Sequence, residues 1–300
     1  MIDRRRFSAA AAAGLAVLPR FGSARGVPQR SIPRLGARVP VIGMGTWLTF
    51  NVAPGDTFER AQRKQVLERF FAAGGGMIDS SPMYGHAERL VGELLEEVGH
   101  TGKWVSATKV WTHFERSGQR QFEDSLRLWR TKQLDLVLVH NLLNWRAHLK
   151  TLRRAQEQHQ MRAIGVSSSH GRDFDEVEHV LRNEPMQAMQ ITYNFADQSA
   201  ERLMNLAAER GVAVIVNRPF DGGALFDAVD RKPLPAWTAE FDCFNWAQFF
   251  LKWTVSHPAV TCAIPATRNP AHMEQNMGAG VGRLPDAAQR SRMRSWMAAL

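Results

Sequence analysis

The sequence predicts one (β/α)8 barrel preceded by a β-hairpin. Three observations predict it. Apolar runs of strand length recur eight times along 300 residues, and helix-period stretches fill the gaps between them. Ionisable groups stand where several of the runs end. Asp79 closes Gly76-Met77-Ile78-Asp79, Lys109 closes the run that begins at Trp104, and His140 closes the run that begins at Leu134. Alternating strands and helices build parallel βαβ units. Eight such units close into a barrel of about 250 residues, whose active site forms at the C-terminal strand ends.

The elements follow in order. Residues 32–40 read as a short hairpin, with Gly36-Ala37 as its turn. Barrel strands are expected at 41–46, 76–79, 104–109, 134–140, 162–167, 188–193, 212–217 and 260–265. Helices are expected at 57–73, 88–98, 116–132, 145–158, 173–182, 200–210 and 245–256, and a final amphipathic helix at 286–300. Segment 220–242 contains Gly222, Gly223, Pro233 and Pro235 and reads as a loop over the barrel mouth.

Composition narrows the function classes. A hydrophobic fraction of 44% and a charged fraction of 22% are those of an ordinary globular protein. No apolar run approaches the roughly 20 residues that span a bilayer, so no membrane anchor is expected. The net charge of +9 is scattered among acids, as in Glu59-Arg60, Glu68-Arg69, Glu201-Arg202 and Glu209-Arg210. No basic stripe interleaved with aromatics is present, which argues against nucleic acid and leaves electropositive focusing on an anionic cofactor. Ten scattered histidines offer no metal-ligand spacing. Two cysteines, Cys243 and Cys262, are too few for a disulfide framework. They either pair in an oxidising compartment or stay as separate buried thiols.

Residues 1–24 read as a twin-arginine signal peptide and 25–300 as a single barrel domain. Asp3-Arg4-Arg5-Arg6-Phe7-Ser8 is followed by Ala-rich 9–18 and then by the small residues Gly22-Ser23-Ala24. This implies contact with the twin-arginine export machinery and a periplasmic location. Residues 1–24 carry a net +3, which leaves +6 on the mature chain.

Asp79, Tyr84, Lys109 and His140 together make a proton-transfer group. A free phenol, with a pKa near ~10, donates poorly at neutral pH. A buried ammonium nearby stabilises the phenolate and is expected to lower that pKa, and a carboxylate keeps the ammonium charged and in place. Such a phenol protonates a carbonyl oxygen while hydride reaches the carbon, and an imidazole beside it orients the carbonyl.

The residues at these strand ends carry a resemblance. Gly43-Met44-Gly45-Thr46-Trp47, Ile78-Asp79 through Tyr84-Gly85-His86-Ala87-Glu88, Thr108-Lys109, Val139-His140-Asn141, Ile164-Gly165-Val166-Ser167, Gln190 through Asn194, and Ile264-Pro265 through Gln275-Asn276 fall in order. Together, residues 32–280 resemble the aldo/keto reductase superfamily. The resemblance implies a catalytic tetrad of Asp79, Tyr84, Lys109 and His140, with Tyr84 the general acid. It implies a nicotinamide cofactor across the mouth, NADPH with NADH as the alternative. Thr46, Trp47, Ser167, Gln190 and Asn217 would then meet the nicotinamide end. Segment 218–225, with Arg218, Pro219, Phe220, Gly222 and Leu225, would wrap the pyrophosphate. Thr267, Arg268, Gln275 and Asn276 would hold the adenosine end.

This chain departs from the family pattern at several places. Ser168 stands where Asn is usual, a shorter group expected to lose one carboxamide contact. Asn217 stands where an aromatic commonly stacks on the nicotinamide. Asp221 replaces a frequent Gly beside the pyrophosphate, where a carboxylate is unfavourable unless it turns away. Ala266 and His272 replace two cations of the 2′-phosphate site, leaving Arg268 as the fixed cation there. Trp47, Met83, Trp111 and Trp145 are candidates to wall an open apolar pocket for a small-molecule carbonyl substrate.

The leading expectation is an exported NAD(P)(H)-dependent carbonyl reductase. Its difficulty is that the periplasm has no obvious supply of reduced nicotinamide. A non-catalytic nicotinamide-nucleotide-binding sensor or accessory subunit is the alternative, favoured by Asn217 and Asp221 and opposed by the complete tetrad. A barrel hydrolase or isomerase is a third, and it lacks paired carboxylates at suitable strand ends.

Overall fold

The computed structural model describes residues 27–33, 35–100 and 104–300. The twin-arginine segment and its boundary at residue 24 lie outside them.

Strands β1 (Gln29–Ile32) and β2 (Ala37–Pro40) pair antiparallel, Gln29 against Pro40 and Ile32 against Ala37. The hairpin therefore starts earlier than the sequence suggested, with Ile32 as the last residue of its first strand. The reason is burial. Ile32, Leu35 and Val39 pack into one apolar cluster with Met77, Val105, Leu136, Ala163, Ile215 and Cys262 of the barrel strands. The hairpin thus contributes to the packed interior that a small barrel needs. Arg30 ties it down by donating to the carbonyls of Val255 (2.8 Å) and Val260.

Eight parallel strands follow in sequence order: β3 (Met44–Gly45), β4 (Met77–Asp79), β5 (Val105–Val110), β6 (Leu134–His140), β7 (Met161–Ser168), β8 (Ala188–Thr192), β9 (Ala213–Asn217) and β10 (Val260–Ala263). Backbone bridges Ile42 to Ala263 and Gly45 to Ala266 close β3 against β10. The nitrogens of Gly43 and Gly45 donate across this seam to Ala263 (2.8 Å) and Pro265 (3.0 Å). Only two residues of the expected 41–46 strand keep regular ladder pairing, because the two chains approach closely here. A Cβ on Gly45 would lie 2.7 Å from the carbonyl oxygen of Ile264. Glycine at this point is a condition of closure.

The outer layer is helical: α1 (Thr57–Ala72), α2 (Ala87–Val98), α3 (Glu115–Leu128), α4 (Trp145–Glu157), α5 (Phe174–Asn183), α6 (Glu201–Glu209), α7 (Ala224–Asp227), α8 (Trp246–Val255), α9 (Pro270–Gly278) and α10 (Ala287–Ala298). Side-chain caps start several of them. Asp56 accepts from the Glu59 amide, Asn245 from Gln248 and Asn269 from Ala271, and Asp286 with Gln289 forms a capping box. Helix α9 lies outside the periodic stretches read from sequence. Its buried face is thin, made by Met273, Asn276 and Met277.

Segment 220–242 is not an open loop. It contains α7 and a 3-10 helix, Ala236–Phe241, and buries Leu225, Val229 and Phe241. Phe226 meets the Phe250 ring at 5.6 Å and Trp237 meets Phe249 at 6.2 Å, so aromatic packing fastens the segment to α8. Both cysteines are free and buried. No helix among the described residues is long and apolar enough to cross a membrane.

Candidate active site

Strands β4, β5 and β6 deliver Asp79, Lys109 and His140 to the same barrel end. Adjacent parallel registers fix their heights: Asp79 pairs with Ala107, Lys109 with Leu138, and His140 with Ser167. Tyr84 comes from the turn between β4 and α2. Its amide donates to the Ser81 carbonyl at 3.0 Å. Gly85 follows with φ +62°, and a Cβ there would lie 2.2 Å from Asn51 Oδ1.

The four groups come together. Lys109 Nζ, fully buried, donates to Asp79 Oδ2 and to the Ser80 carbonyl, both at 2.7 Å. The same ammonium lies 5.2 Å from the centroid of the Tyr84 ring. Gln190 Nε2 donates to Asp79 Oδ1 at 2.7 Å. Thr46 Oγ1 donates to the Asp79 carbonyl and contacts Ser80 Oγ, both at 2.9 Å. His140 Nδ1 lies 2.8 Å from Ser167 Oγ.

Burial sets the protonation of the group. It presses the Lys109 ammonium towards neutrality, but the charges and hydrogen bonds of Asp79 and Tyr84 outweigh it, and the pKa ends above the ordinary lysine value. Burial likewise raises the Asp79 carboxyl, against the pull of Lys109. The expectation of a lowered phenol pKa is not met for Tyr84. Desolvation raises it by more than Lys109 lowers it, and Asp79 adds to the rise. The phenol therefore stays protonated at neutral pH as a loaded donor. Desolvation, with the charges of Lys109 and Arg172, pushes the His140 imidazolium down to about 3. His140 is neutral at physiological pH.

The proposed cofactor residues divide into two groups. Ser167 and Gln190 are both buried, and each already holds a tetrad member, His140 and Asp79 respectively. Asn217 turns inward, accepting from Thr192 Oγ1 (2.7 Å) and donating to the Ser168 carbonyl (3.3 Å). Ser168 Oγ is itself committed to the Arg172 carbonyl at 2.6 Å. Asp221 is answered by Arg218, whose Nη2 donates to it at 3.1 Å. The Arg218 guanidinium also lies 5.8 Å from the Trp47 ring centroid, which joins Trp47 to segment 218–225. In that segment Pro219 is buried, Phe220 stacks at an angle on Phe226 at 4.9 Å, and Leu225 is buried. Gly222 and Gly223 have φ of +68° and +113°, and nothing lies within 4 Å of a Cβ built on Gly223.

Thr267, Arg268, Gln275 and Asn276 gather on the β10–α9 connection and α9. Thr267 and Asn276 are buried, while Arg268 and Gln275 are exposed. Among the described residues the Arg268 guanidinium has no ion pair.

These residues fit an anionic nucleotide. Arg218 Nε is buried without a partner beside an open glycine backbone. Such an orphaned donor calls for a ligand acceptor.

The expected pocket walls separate. Trp47, Met83 and Trp111 follow β3, β4 and β5 and remain about 40% exposed (41%, 40% and 40%). Gln121 pins Trp111 through both backbone groups, at 2.8 and 3.0 Å. Trp145 does not join them. It is 6% exposed, donates its indole N–H to Glu176 of α5 at 2.5 Å, and packs between helices. An aromatic at the start of a helix serves helix packing as readily as a pocket, and sequence alone does not separate the two.

Sequence reasoning also missed Glu88 as a functional support. Its buried Oε1 accepts from Thr108 Oγ1 (2.5 Å), Ser125 Oγ (2.9 Å) and Trp129 Nε1 (2.9 Å), bracing the strand position before Lys109. An acid in the first turn of an amphipathic helix ordinarily reads as a dipole partner. Burial of this one is a tertiary fact.

With this geometry in place, the comparisons are consistent. The model of the aldo/keto reductase family matches residues 41–293, and the chain belongs to that family, a class of oxidoreductases. It is 26% identical over 244 residues to the methylglyoxal reductase YeaE of Escherichia coli (79% of this chain, 84% of that protein). It is 25% identical over 246 residues to the 9,11-endoperoxide prostaglandin H2 reductase of Trypanosoma cruzi (80% and 81%). Among solved structures, the holo form of the aldo-keto reductase AKR11C1 from Bacillus halodurans superposes with a TM-score of 0.73 at 17% identity (90% and 96%). An aldo-keto reductase of Klebsiella pneumoniae in complex with NADPH does so with 0.72 at 23% (88% and 93%). The likeness to the solved structures bears out the barrel.

One pH prediction follows. The ordinary His140 pKa of 6.5 becomes about 3 in the folded chain. The unfolded chain therefore takes up a proton that the folded chain refuses, and stability falls as pH drops from 6.5 towards 3. The ring nitrogens of His140 should keep the NMR shifts of a neutral imidazole at about pH 5. A protonated ring there would show that the site is wetter than its burial implies.

Proposed function

We propose that this protein reduces aldehydes or ketones to alcohols with Tyr84 as the proton donor. The observation that carries the reading is the Lys109 ammonium, 2.7 Å from Asp79 Oδ2 and 5.2 Å from the Tyr84 ring centroid. Membership of the aldo/keto reductase family supports it. A nicotinamide nucleotide, when bound, supplies the hydride.

The chain's own groups do the rest. Tyr84 Oη gives its proton to the carbonyl oxygen. Lys109 stabilises the phenolate left behind, and Asp79 keeps Lys109 charged. In the tautomer of neutral His140 that carries its hydrogen on Nε2, Nδ1 takes the hydrogen bond of Ser167 Oγ, 2.8 Å away, and Nε2 orients the carbonyl. Ser167 and the carbonyl oxygen of the Gln190 amide hold the carboxamide, Arg218 and Gly222-Gly223 the pyrophosphate, and Thr267, Arg268, Gln275 and Asn276 the adenosine end. Trp47, Met83 and Trp111 wall the substrate. Because the Escherichia coli relative is named a methylglyoxal reductase, short 2-oxoaldehydes are substrates to assay first.

Tyr84→Phe removes the acid and keeps the shape. Turnover should fall by about 10²–10⁴ with little change in cofactor affinity. Carbonyl reduction by this variant at the wild-type rate would sink the mechanism.

Arg268 supplies a fork for a 2′-phosphate. NADPH should bind about ten- to a hundredfold more tightly than NADH, the worth of one charged hydrogen bond at a partly exposed site. Arg268→Ala should erase that preference and spare NADH binding. Dissociation constants for both nucleotides decide it, and equal affinities in the wild type refute it.

Residues 1–24 are a twin-arginine signal that takes the folded chain to the periplasm. Arg4→Lys with Arg5→Lys keeps the charge and should hold the precursor in the cytoplasm. Normal periplasmic yield of the double variant would exclude this route.

A further inference from the structure

The turn after β9 carries a cation and an anion of its own. The Asp221 amide donates to the Arg218 carbonyl at 3.0 Å and closes the turn. Asn194, beyond β8, donates through Nδ2 to the same carbonyl at 2.9 Å and holds the turn from outside. Arg218 and Asp221 are both left-handed, at φ +49° and +48°. Non-glycine residues rarely hold that conformation, and where they do the surroundings compel it, often at functional sites. Left-handed Gly222 follows, and a Cβ there would lie 3.3 Å from Arg218 Nη2. The guanidinium thus lies close against a glycine backbone, with its acidic partner on the same turn.

The ion pair inside this turn is half made. Arg218 Nη2 donates to Asp221 Oδ1 at 3.1 Å. Arg218 Nε, the neighbouring donor on the same edge of the guanidinium, is buried and has no partner among the described residues. That edge offers two parallel N–H groups, and an anion with two oxygens side by side answers both. Asp221 answers one. A buried donor left without an acceptor is costly, so a phosphate group that reaches both donors suits the edge better than Asp221 does. The pair is also open to solvent, with the two side chains 18% and 35% exposed, and water weakens its attraction. Asp221 is therefore a replaceable partner. It does not turn away from the cation beside it.

We propose that Asp221 is an internal competitor for the pyrophosphate of the cofactor, holding Arg218 until a nucleotide takes its place. This rests on the nicotinamide-nucleotide reading and adds to it the residue that limits affinity. Asp221 touches no reacting atom, so it acts on binding and leaves the chemical step alone.

The test is equilibrium binding of NADPH to the purified full chain, read by quenching of tryptophan fluorescence. Inorganic pyrophosphate, which lacks the nicotinamide and the adenosine, serves as a second probe by displacing NADPH. Asp221→Asn keeps the shape, and Asn tolerates the left-handed backbone. It should lower the dissociation constants of both probes about tenfold, and Asp221→Gly, which suits the same backbone, should act alike. Arg218→Gln should weaken both probes. Adding Asp221→Asn to Arg218→Gln should then gain about twofold at most, because the competition runs through the guanidinium. An equal gain with and without Arg218 would mean that Asp221 merely repels phosphate through space, and it would overturn the proposal. So would unchanged or weaker NADPH binding in Asp221→Asn and Asp221→Gly. Failure of the wild type to bind either NADPH or NADH would sink the nucleotide reading and the proposal with it, whereas wild-type binding without a gain in the Asp221 variants would sink the competition alone.

Discussion

The ion pair between Lys109 and Asp79 is the constraint on which the rest of the molecule depends. Neither group reaches water, and the effective penalty for burying each ion is several kcal/mol. Their mutual attraction offsets that penalty only when the geometry is good and the remaining donors and acceptors are satisfied. Here the Ser80 carbonyl takes a second proton of the ammonium, and Gln190 bonds the second oxygen of the carboxylate. Three strands are therefore tied through one pair, β4 through Asp79, β5 through Lys109 and β8 through Gln190, and Thr46 at the end of β3 bonds the Asp79 backbone carbonyl beside it. Removing either charge alone would leave its partner buried and uncompensated, at a cost of about 3–5 kcal/mol.

The same burial controls protonation throughout the site. It keeps the Tyr84 phenol loaded and the His140 ring neutral. A protonated phenol and a neutral imidazole thus coexist beside a full positive charge. Lys109 does not make the phenol acidic in the resting chain. It moderates a rise that burial causes, and in the proposed reaction its benefit falls on the phenolate.

Exclusion of water from this region depends on features remote from the chemistry. The hairpin packs Ile32, Leu35 and Val39 into the lumen cluster. Glycines at 43 and 45 let β3 close against β10. Glu88 braces Thr108, the neighbour of Lys109, from the helix that follows Tyr84. Segment 220–242 is fixed to α8 by aromatic contacts, which holds Arg218 beside Trp47.

The sequence by itself determined the barrel, the order of its strands, and the gathering of Asp79, Lys109 and His140 at strand ends with Tyr84 in the turn after β4. Strand and helix periods are local properties of the chain, and parallel βαβ connection converts their order into a single face. Through the resemblance it also singled out Arg218 and Arg268 as candidates for the cofactor. Tertiary structure decided what depends on distance and burial. Trp145 left the pocket because Glu176, on a different helix, offered its indole a partner. Ser167 and Gln190 proved to hold His140 and Asp79, since strands neighbouring in the barrel bring them within hydrogen-bond reach. The phenol shifted upward because desolvation outweighed the ammonium. Periodicity records which way a side chain faces on its own element. The free energy of a charge or a polar group is set by every element packed around it, and that is settled only when the barrel closes.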